Sequence, residues 1–596
     1  MNILGINEGH MSSACLIKDG VLVAAVCEER FTRNKNEQGY PERAIEYCLK
    51  EGKITNNEID CVATATEELQ AVLEATQRYR RFTISDYIKE NNEYWKPKLL
   101  ENKEVNYFDL FPEIPNDYYD FSFLKEETDS EQSYITNKKW SELFQKERVK
   151  NLRKQLNISE DKIFFVDHHT GHAHYAYFMS PYRKNVLILT ADAWGDGCNC
   201  SIWVGNENNL ELHHKSANNT LARIYRSMTL LLGMKPNEHE YKVMGLAPYA
   251  TEYYSRKPYD VFKDTLYVDG IDFEYKQKPK DNYFWFKERL KDCRFDGIAG
   301  GLQRFIEEMM TEWAKNTLNH FGLDTLVLSG GLALNIKANK LISELNNVHK
   351  FFVPSAGGDE SQSIGSALYL FNKLDKKNKF EPPLHDYHGP PIDDSLNNII
   401  HKLNLEKDFV IKNNISNLEI AEFLKNDLII GRCVGRAEFG PRALGNRSIL
   451  ANPSNIKNVT KINNQIKYRD FWMPFTPSIL SERASDYIKN PKNLPSPFMT
   501  IAFDSTELAR KDLVAAIHPA DYTIRPQFVD KQSNPGYYDL IKKFEGLTGI
   551  GGLLNTSMNL HGEPIVTNPS DAIHTLINSE LDILVINKTA IIRKKI

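Results

Sequence analysis

Three short apolar runs open the chain, at residues 2–7 (NILGIN), 13–18 (SACLIK) and 21–29 (VLVAAVCEE), each of strand length. Asp19-Gly20, between the second and third, is a tight hairpin signal. Pro41 precedes a segment in which Ala44, Ile45, Cys48 and Leu49 recur at helical spacing, and residues 59–65 (IDCVATA) supply another strand. Residues 163–166 (IFFV) predict a buried strand that feeds a helix over residues 169–179 (HTGHAHYAYFM). Further on, residues 186–190 predict a strand, 198–217 alternating strands and 221–232 a helix. Residues 299–320 predict a long amphipathic helix, with Phe305, Met309, Trp313 and Leu318 on one stripe. Residues 325–331 run from a buried strand into Gly330-Gly331, with a helix opening at Asn335. Residues 351–370 repeat that order: strand, Gly357-Gly358-Asp359, helix. Strands alternating with helices predict an α/β protein.

A chain of 596 residues exceeds one ordinary core, so more than one domain is expected. Residues 70–157 break the rhythm. They are rich in Tyr, Trp, Lys, Glu and Asn, with helices predicted at 82–93 and 139–155, and they form an insertion on the first half. Residues 372–394 are charged and proline-rich with little to bury. The predicted boundaries are therefore 1–371 for the first domain, 372–410 for a linker and 411–596 for the second domain. The net charge of −5 disfavours a nucleic-acid-binding surface. No apolar run approaches a membrane span and no signal segment precedes residue 2, so a cytoplasmic protein without a membrane partner is expected. The eight cysteines are scattered and imply no disulfide framework.

Chemistry concentrates in a few strings. His168 and His172 stand four apart, so on a helix both imidazoles share a face. That spacing suits two ligands of a borderline metal ion, or simply polar residues at a strand–helix junction with His169 or His174 solvated. Asp359, in a glycine-flanked loop, is a third candidate ligand. Asn7 to Ser13 form a turn of small and polar residues, in which His10 is either a proton-exchanging group or an exposed turn histidine. Asp192, Gly195 and Gly197 form an acidic glycine turn suited to phosphate or a metal-bound water. Lys242 is a phosphate ligand or an ordinary lysine. Gly330, Gly331 and Asn335, with Gly358 in the later turn, place helix amides toward glycine loops as nucleotide sites do. The second domain holds the dense string 435–448 (GRAEFGPRALGNRS), then Lys467-Tyr468-Arg469, Arg525 and Asn555-Thr556-Ser557. Arginines and a lysine among glycines make an anion pocket.

These strings resemble the O-carbamoyltransferases of secondary metabolism and nodulation-factor decoration. The markers are His10, Glu28-Glu29-Arg30-Phe31-Thr32-Arg33, His168-x3-His172, residues 242–249 (KVMGLAPY), Ser329-Gly330-Gly331, Gly358-Asp359, residues 438–448, Lys467-x-Arg469 and residues 555–557. The resemblance implies an N-terminal domain with an actin-like ATPase fold of two duplicated halves, like metal-dependent threonylcarbamoyl transferases. It implies a C-terminal domain like the enzyme that makes threonylcarbamoyl-adenylate. It further implies that carbamoyl phosphate and ATP become carbamoyl-adenylate with release of pyrophosphate, and that the carbamoyl group then passes to an alcohol as AMP leaves. Iron, or manganese or zinc, would sit on His168, His172 and Asp359, with magnesium a further cofactor. Arg442, Lys467, Arg469, Arg525 and Ser557 would hold phosphate oxygens, Asn555 would orient the carbamoyl group or nucleotide, and His10 would be the general base. A homodimer is a family expectation. Where the family has Asp-Gly-Thr, this chain has Asp521-Tyr522-Thr523, and Met558 replaces the usual Phe. The alternative functions are threonylcarbamoyl transfer to tRNA and a non-catalytic nucleotide sensor.

Overall fold

The computed structural model describes residues 1–125, 138–375 and 379–594. The chain forms two compact units, one of Met1–Glu29, Asn36–Val353 and Gly357–Pro382, the other of Arg30–Lys35, Pro354–Ala356 and Pro383–Ile596.

The first unit is built on two five-stranded sheets of one topology. In the first, β1 (Asn2–Asn7), β2 (Ser13–Lys18) and β3 (Val21–Cys27) form an antiparallel meander. Asp19 and Gly20 make the hairpin turn with φ of 50° and 82°. β4 (Cys61–Ala65) and β5 (Ile163–Val166) then add in parallel, giving the order β3-β2-β1-β4-β5. The second sheet repeats this. β6 (Val186–Gly195), β7 (Cys198–Asn206) and β8 (Asn209–Ser216) form the meander. A ribbon of β9 (Leu266–Asp269) and β10 (Asp272–Tyr275) intervenes in sequence, after which β11 (Thr325–Ser329) and β12 (Lys350–Phe352) add in parallel. Burial on both faces explains the near-continuous apolar runs of the central strands.

The last strand of each sheet leads into a helix, β5 into His168–Met179 and β12 into Gln362–Leu374. These two helices are exchanged. His168–Met179 packs on β6, β7 and β11, whereas Gln362–Leu374 packs on β1, β2 and β4. Glycines permit the close approach: a β-carbon on Gly5 would stand 2.1 Å from the Ser363 carbonyl oxygen, and one on Gly205 would stand 2.4 Å from the Tyr177 ring. The long helix Phe295–Phe321 buries Phe305, Met309, Trp313 and Leu318, the stripe that its spacing predicts.

The helices between β4 and β5 include Arg78–Arg81, Ile84–Lys89 and Lys138–Leu156; residues 126–137 of the predicted insertion lie outside the described residues. A buried ion pair ties this segment to the turn after β1. Arg148 Nε reaches Glu8 Oε2 at 2.6 Å with both side chains fully buried, and Tyr119 donates to Glu8 Oε1 at 2.7 Å. The Arg148 guanidinium also donates to the carbonyls of Thr66 and Ala65 at the end of β4.

The second unit carries an eight-stranded mixed sheet in the order β13-β23-β22-β14-β15-β21-β16-β20. Its strands are β13 (Phe409–Asn413), β14 (Ile430–Cys433), β15 (Arg447–Ala451), β16 (Thr476–Leu480), β20 (Gln527–Val529), β21 (Gly552–Ser557), β22 (Ile583–Ile586) and β23 (Thr589–Arg593). A small sheet holds β17 (Ile488–Lys489), β18 (Phe503–Ser505) and β19 (Thr523–Ile524). Residues 383–410 belong to this unit and carry the helix Leu396–Lys402, where the sequence predicts a linker. Ile400, Leu405 and Phe409 sit in its core, an apolar spacing masked by the charged residues around it. Among the described residues no helix is long and apolar enough to cross a membrane.

Candidate functional site

Asp167 ends β5 and caps the helix that follows. Its Oδ1 accepts hydrogen bonds from the Thr170 amide and hydroxyl, each at 2.8 Å, and Lys215 Nζ lies 2.6 Å from its Oδ2. The cap sets the first turn, so His168 and His172 project together with ring centroids 4.7 Å apart. β6 brings Asp192 to the same place, and the turn before the exchanged helix brings Asp359. His168 Nε2 lies 3.9 Å from Asp192 Oδ2 and 3.6 Å from Asp359 Oδ1; His172 Nε2 lies 3.2 Å and 3.5 Å from the same atoms. One ligand atom from each of the four residues falls within 4.8 Å of all the others.

Both Nε2 atoms are buried and complete no hydrogen bond. They approach the carboxylates without the alignment of a donor and its acceptor, as expected when four groups point at a common centre. Ligands about 2.1 Å from a tetrahedral ion stand about 3.4 Å from one another, close to the separations seen here. On the far side of each ring a hydroxyl fixes the orientation: Thr66 Oγ1 lies 3.3 Å from His168 Nδ1, and Ser329 Oγ lies 3.3 Å from His172 Nδ1. Gln362 Nε2, on the exchanged helix, donates to the His168 carbonyl at 2.9 Å. Burial opposes charge on His168, yet Asp192 and Asp359 outweigh it and raise its pKa to about 9; His172 is raised by the same pair against the same opposition. Two carboxylates thus call for positive charge at their centre, and the site fits a divalent cation.

Asp192, read from the sequence as part of a phosphate or metal-water loop and not as a ligand, is the fourth member of this cluster. Its Oδ2 accepts the Gly331 amide at 2.9 Å. Gly195 serves the cluster too: a β-carbon there would stand 2.1 Å from His168 Cγ, so only glycine lets the ring lie flat on β6. Gly197 turns β6 into β7, and Gly358 leads into the Asp359 turn. Asn335 caps the helix Ile336–Glu344 through the Ala338 amide and is clasped by Gln303, its Oδ1 accepting at 2.9 Å and its Nδ2 donating at 3.1 Å. Gly330, at φ 91°, sets the turn ahead of that cap, and Lys242 is buried on the helix Glu240–Leu246. His169 and His174 are buried rather than solvated. Burial lowers their pKa values to about 3 and about 4, and they bond Thr190 Oγ1 at 2.6 Å and the Thr170 carbonyl at 2.8 Å.

His10 follows β1. Asn7 Nδ2 donates to the carbonyls of His10 at 2.9 Å and Asp359 at 3.0 Å, tying the first turn to the ligand turn. Burial lowers the His10 pKa despite the nearby Asp359 and Asp192, so its imidazole is neutral and can accept a proton. Its ring packs 4.6 Å from Tyr79 of the insertion.

In the second unit the arginines of the 435–448 string divide by task. Glu438 Oε1 accepts the amides of Leu444, Asn446 and Arg447, which folds the string into a tight loop. The fully buried Arg447 donates to carbonyls of Val434, Gly435, Pro390 and Thr567, and Arg436 to those of His388 and Gly389, so both hold backbone. Arg442 of the string, with Arg469, lies near enough to Arg525 to act on its charge. Burial and the charges of Arg442 and Arg469 hold the Arg525 guanidinium well below its usual range, and its buried Nε bonds nothing. Burial, then Arg469 and Lys35, do the same to Lys467, whose Nζ donates to the Ser557 carbonyl at 2.7 Å and hydroxyl at 3.2 Å. Asn555 Nδ2 donates to the Ala443 carbonyl at 3.1 Å and Ser478 Oγ at 2.9 Å, leaving its buried Oδ1 unbonded. Cations that hold one another's charge down in this way fit a polyanion.

Comparisons agree with this division. A family model described as carbamoyltransferase N-terminus matches residues 2–368, and one described as carbamoyltransferase C-terminus matches residues 421–593. An uncharacterized protein of Methanocaldococcus jannaschii is 30% identical over 100% of both chains. One of Synechocystis sp. is 30% identical over 98% of this chain and 95% of its own. Nodulation protein NolNO of Sinorhizobium fredii is 29% identical over 97% of this chain and 78% of its own.

Proposed function

The chain belongs to the carbamoyltransferase family, and from that premise we propose that it is an ATP-dependent O-carbamoyltransferase acting on a hydroxyl of a small metabolite. The observation that carries this reading is the convergence of two unbonded imidazole nitrogens on two carboxylates. The second unit's cationic group supports an activation step there. Water cleaves carbamoyl phosphate to carbamate and inorganic phosphate, and a carbamate oxygen then attacks the α-phosphorus of ATP as pyrophosphate departs. Arg442, Lys467, Arg469 and Arg525 offset the charge that builds on the phosphate oxygens. Ser557 and the unbonded Asn555 Oδ1 orient the nucleotide and the carbamoyl amide.

Transfer uses the first unit. The acceptor oxygen attacks the carbamoyl carbon, its proton passes to the neutral His10, and the bond to AMP breaks. His168, His172, Asp192 and Asp359 would hold a divalent cation, iron, manganese or zinc, whose Lewis acidity would polarise the acyl phosphate. The repeated sheet topology supports an actin-like ATPase fold for this unit. The acidic net charge supports a small-molecule acceptor over tRNA. The purified protein, supplied with carbamoyl phosphate, ATP, a divalent metal and a panel of alcohols, should form AMP and pyrophosphate in step with a carbamoylated product. Formation of neither, with any alcohol and any of the three metals, would end this reading.

A further inference from the structure

Beside the metal cluster, a second set of polar atoms is buried with nothing to bond. His10 Nδ1, the Tyr87 hydroxyl, Arg226 Nε and the Asn237 amide nitrogen are all in this condition. Their side chains adjoin. The Tyr79 ring packs on His10 at 4.6 Å, and the Arg226 guanidinium lies 5.8 Å from the centre of the Tyr87 ring. Asn237 approaches the Tyr87 hydroxyl, yet neither completes a hydrogen bond. Arg226 also lies near enough to Tyr79 to act on its hydroxyl electrostatically, as Asp359 of the metal cluster does. The set therefore reaches from the first turn, across the insertion, to the helix Leu221–Leu231 and the loop after it.

Neighbouring arginines are committed elsewhere. Arg223 donates to the Ala193 carbonyl at 3.0 Å and lies over Trp194, and Arg78 pairs with Glu90 at 2.6 Å. Arg226 has no hydrogen-bond or ion-pair partner among the described residues. Glu240 is close, but it already accepts the Asn237 backbone N–H at 2.7 Å, and burial raises its pKa to about 7, so it is no settled counter-charge. Arg226 is partly exposed, but its Nε is buried and unbonded, and a donor buried without a partner is costly unless a ligand completes it. Arg226 Nε and Asn237 Nδ2 are donors only, and the neighbouring Tyr87 hydroxyl can also donate, so the complement is an oxyanion.

We infer that Arg226, Asn237 and Tyr87 form an oxyanion subsite, walled by Tyr79 of the insertion, which receives an anionic group carried by the acceptor alcohol. The inference rests on the acceptor role given to the His10 side of the cluster. A phosphoryl group of the nucleotide has the same chemistry and is the other source the test must separate.

The full-length protein is titrated calorimetrically with inorganic phosphate, with AMP, and with matched alcohols: glycerol against glycerol 3-phosphate and glucose against glucose 6-phosphate. Wild type is compared with Arg226→Gln, Arg226→Lys and, as a control, Arg81→Gln, an exposed arginine of the insertion. Wild type should bind at least one phosphorylated alcohol at least tenfold more tightly than its neutral twin. Arg226→Gln should erase that preference, Arg226→Lys should keep part of it, and Arg81→Gln should leave it intact. If Arg226→Gln weakens AMP tenfold and the phosphorylated alcohols not at all, the subsite stands and its anion belongs to the nucleotide. Absence of anion binding to wild type, or unchanged affinities in both Arg226 variants with wild-type melting curves, overturns the inference. Binding is read without turnover, so this failure is distinct from a failure to form AMP and pyrophosphate.

Discussion

Gly365 rests backbone to backbone on Gly171, so that a β-carbon on Gly365 would stand 2.0 Å from the Gly171 carbonyl oxygen. This contact sets how closely the helix bearing His168 and His172 approaches the helix that follows Asp359. Gly365→Ala improves intrinsic helix propensity by about 1 kcal/mol, but no flexible side chain can yield to the added methyl group. The variant should melt below wild type and bind divalent metal at least tenfold more weakly, by thermal denaturation and metal titration. A melting point at or above wild type with full metal binding would show that the helices can part harmlessly.

The ligand set is testable residue by residue. His172→Ala should reduce metal binding by at least a hundredfold. Asp192→Asn should also weaken it, by about tenfold, since it leaves one acceptor oxygen and removes a charge. Were the metal held only by His168, His172 and Asp359, Asp192→Asn would match wild type in a competition titration against a chelator.

Arg525 sits among like charges with a buried, unbonded Nε. Arg525→Gln should therefore stabilise the fold by about 1–2 kcal/mol while pyrophosphate formation falls at least a hundredfold. Denaturant unfolding and a pyrophosphate assay on one preparation check both signs. A destabilised variant would mean that Arg525 supports the fold instead.

Breaking the Glu8–Arg148 pair leaves one fully buried charge uncompensated, at a cost of about 3–5 kcal/mol. Arg148→Met should lose that stability, whereas the double variant Arg148→Met with Glu8→Gln should recover part of it. Melting curves for the single and double variants measure the coupling.

Burial raises the Glu74 pKa to about 8 from an ordinary 4.5. Between those values the native state holds a proton that the unfolded chain releases, so this group's contribution to stability is full below pH 4.5 and is lost as pH rises toward 8. Glu74→Gln should flatten that part of the profile and be more stable than wild type at pH 8.5. Parallel urea titrations at pH 5 and 8.5 make the comparison, and an unchanged slope in the variant would rule Glu74 out as the cause.

Much of the fold was legible because period carries it. The strands of both meanders, the Asp19-Gly20 turn and the stripe along Phe295–Phe321 are local patterns with local causes. His168 and His172 were legible for the same reason, since one helical turn joins them, and Asp359 was marked by its glycines. Asp192 was visible as an acidic residue leaving a buried strand, but nothing local says which remote side chains meet it. The repeated strand order is the feature that could have placed it. Arg447 and Arg442 look alike in sequence, yet one is fully buried and holds backbone while the other acts on the charge of Arg525, because burial is decided by strands far along the chain. Tyr79, Tyr87 and Arg226 belong to three helices with no shared spacing, so no pattern links them.

The trade of terminal helices in the first unit has a consequence for any attempt to divide it. Each sheet is roofed by a segment that the opposite run of sequence supplies, so a fragment ending near Ser180 would lack its own roof and carry a loose one made for its absent twin. Neither fragment should therefore fold alone, and mixing the two should restore both layers. A single repeat of this topology would have to exchange its last helix with a second copy, and one chain that carries both repeats makes that exchange internal.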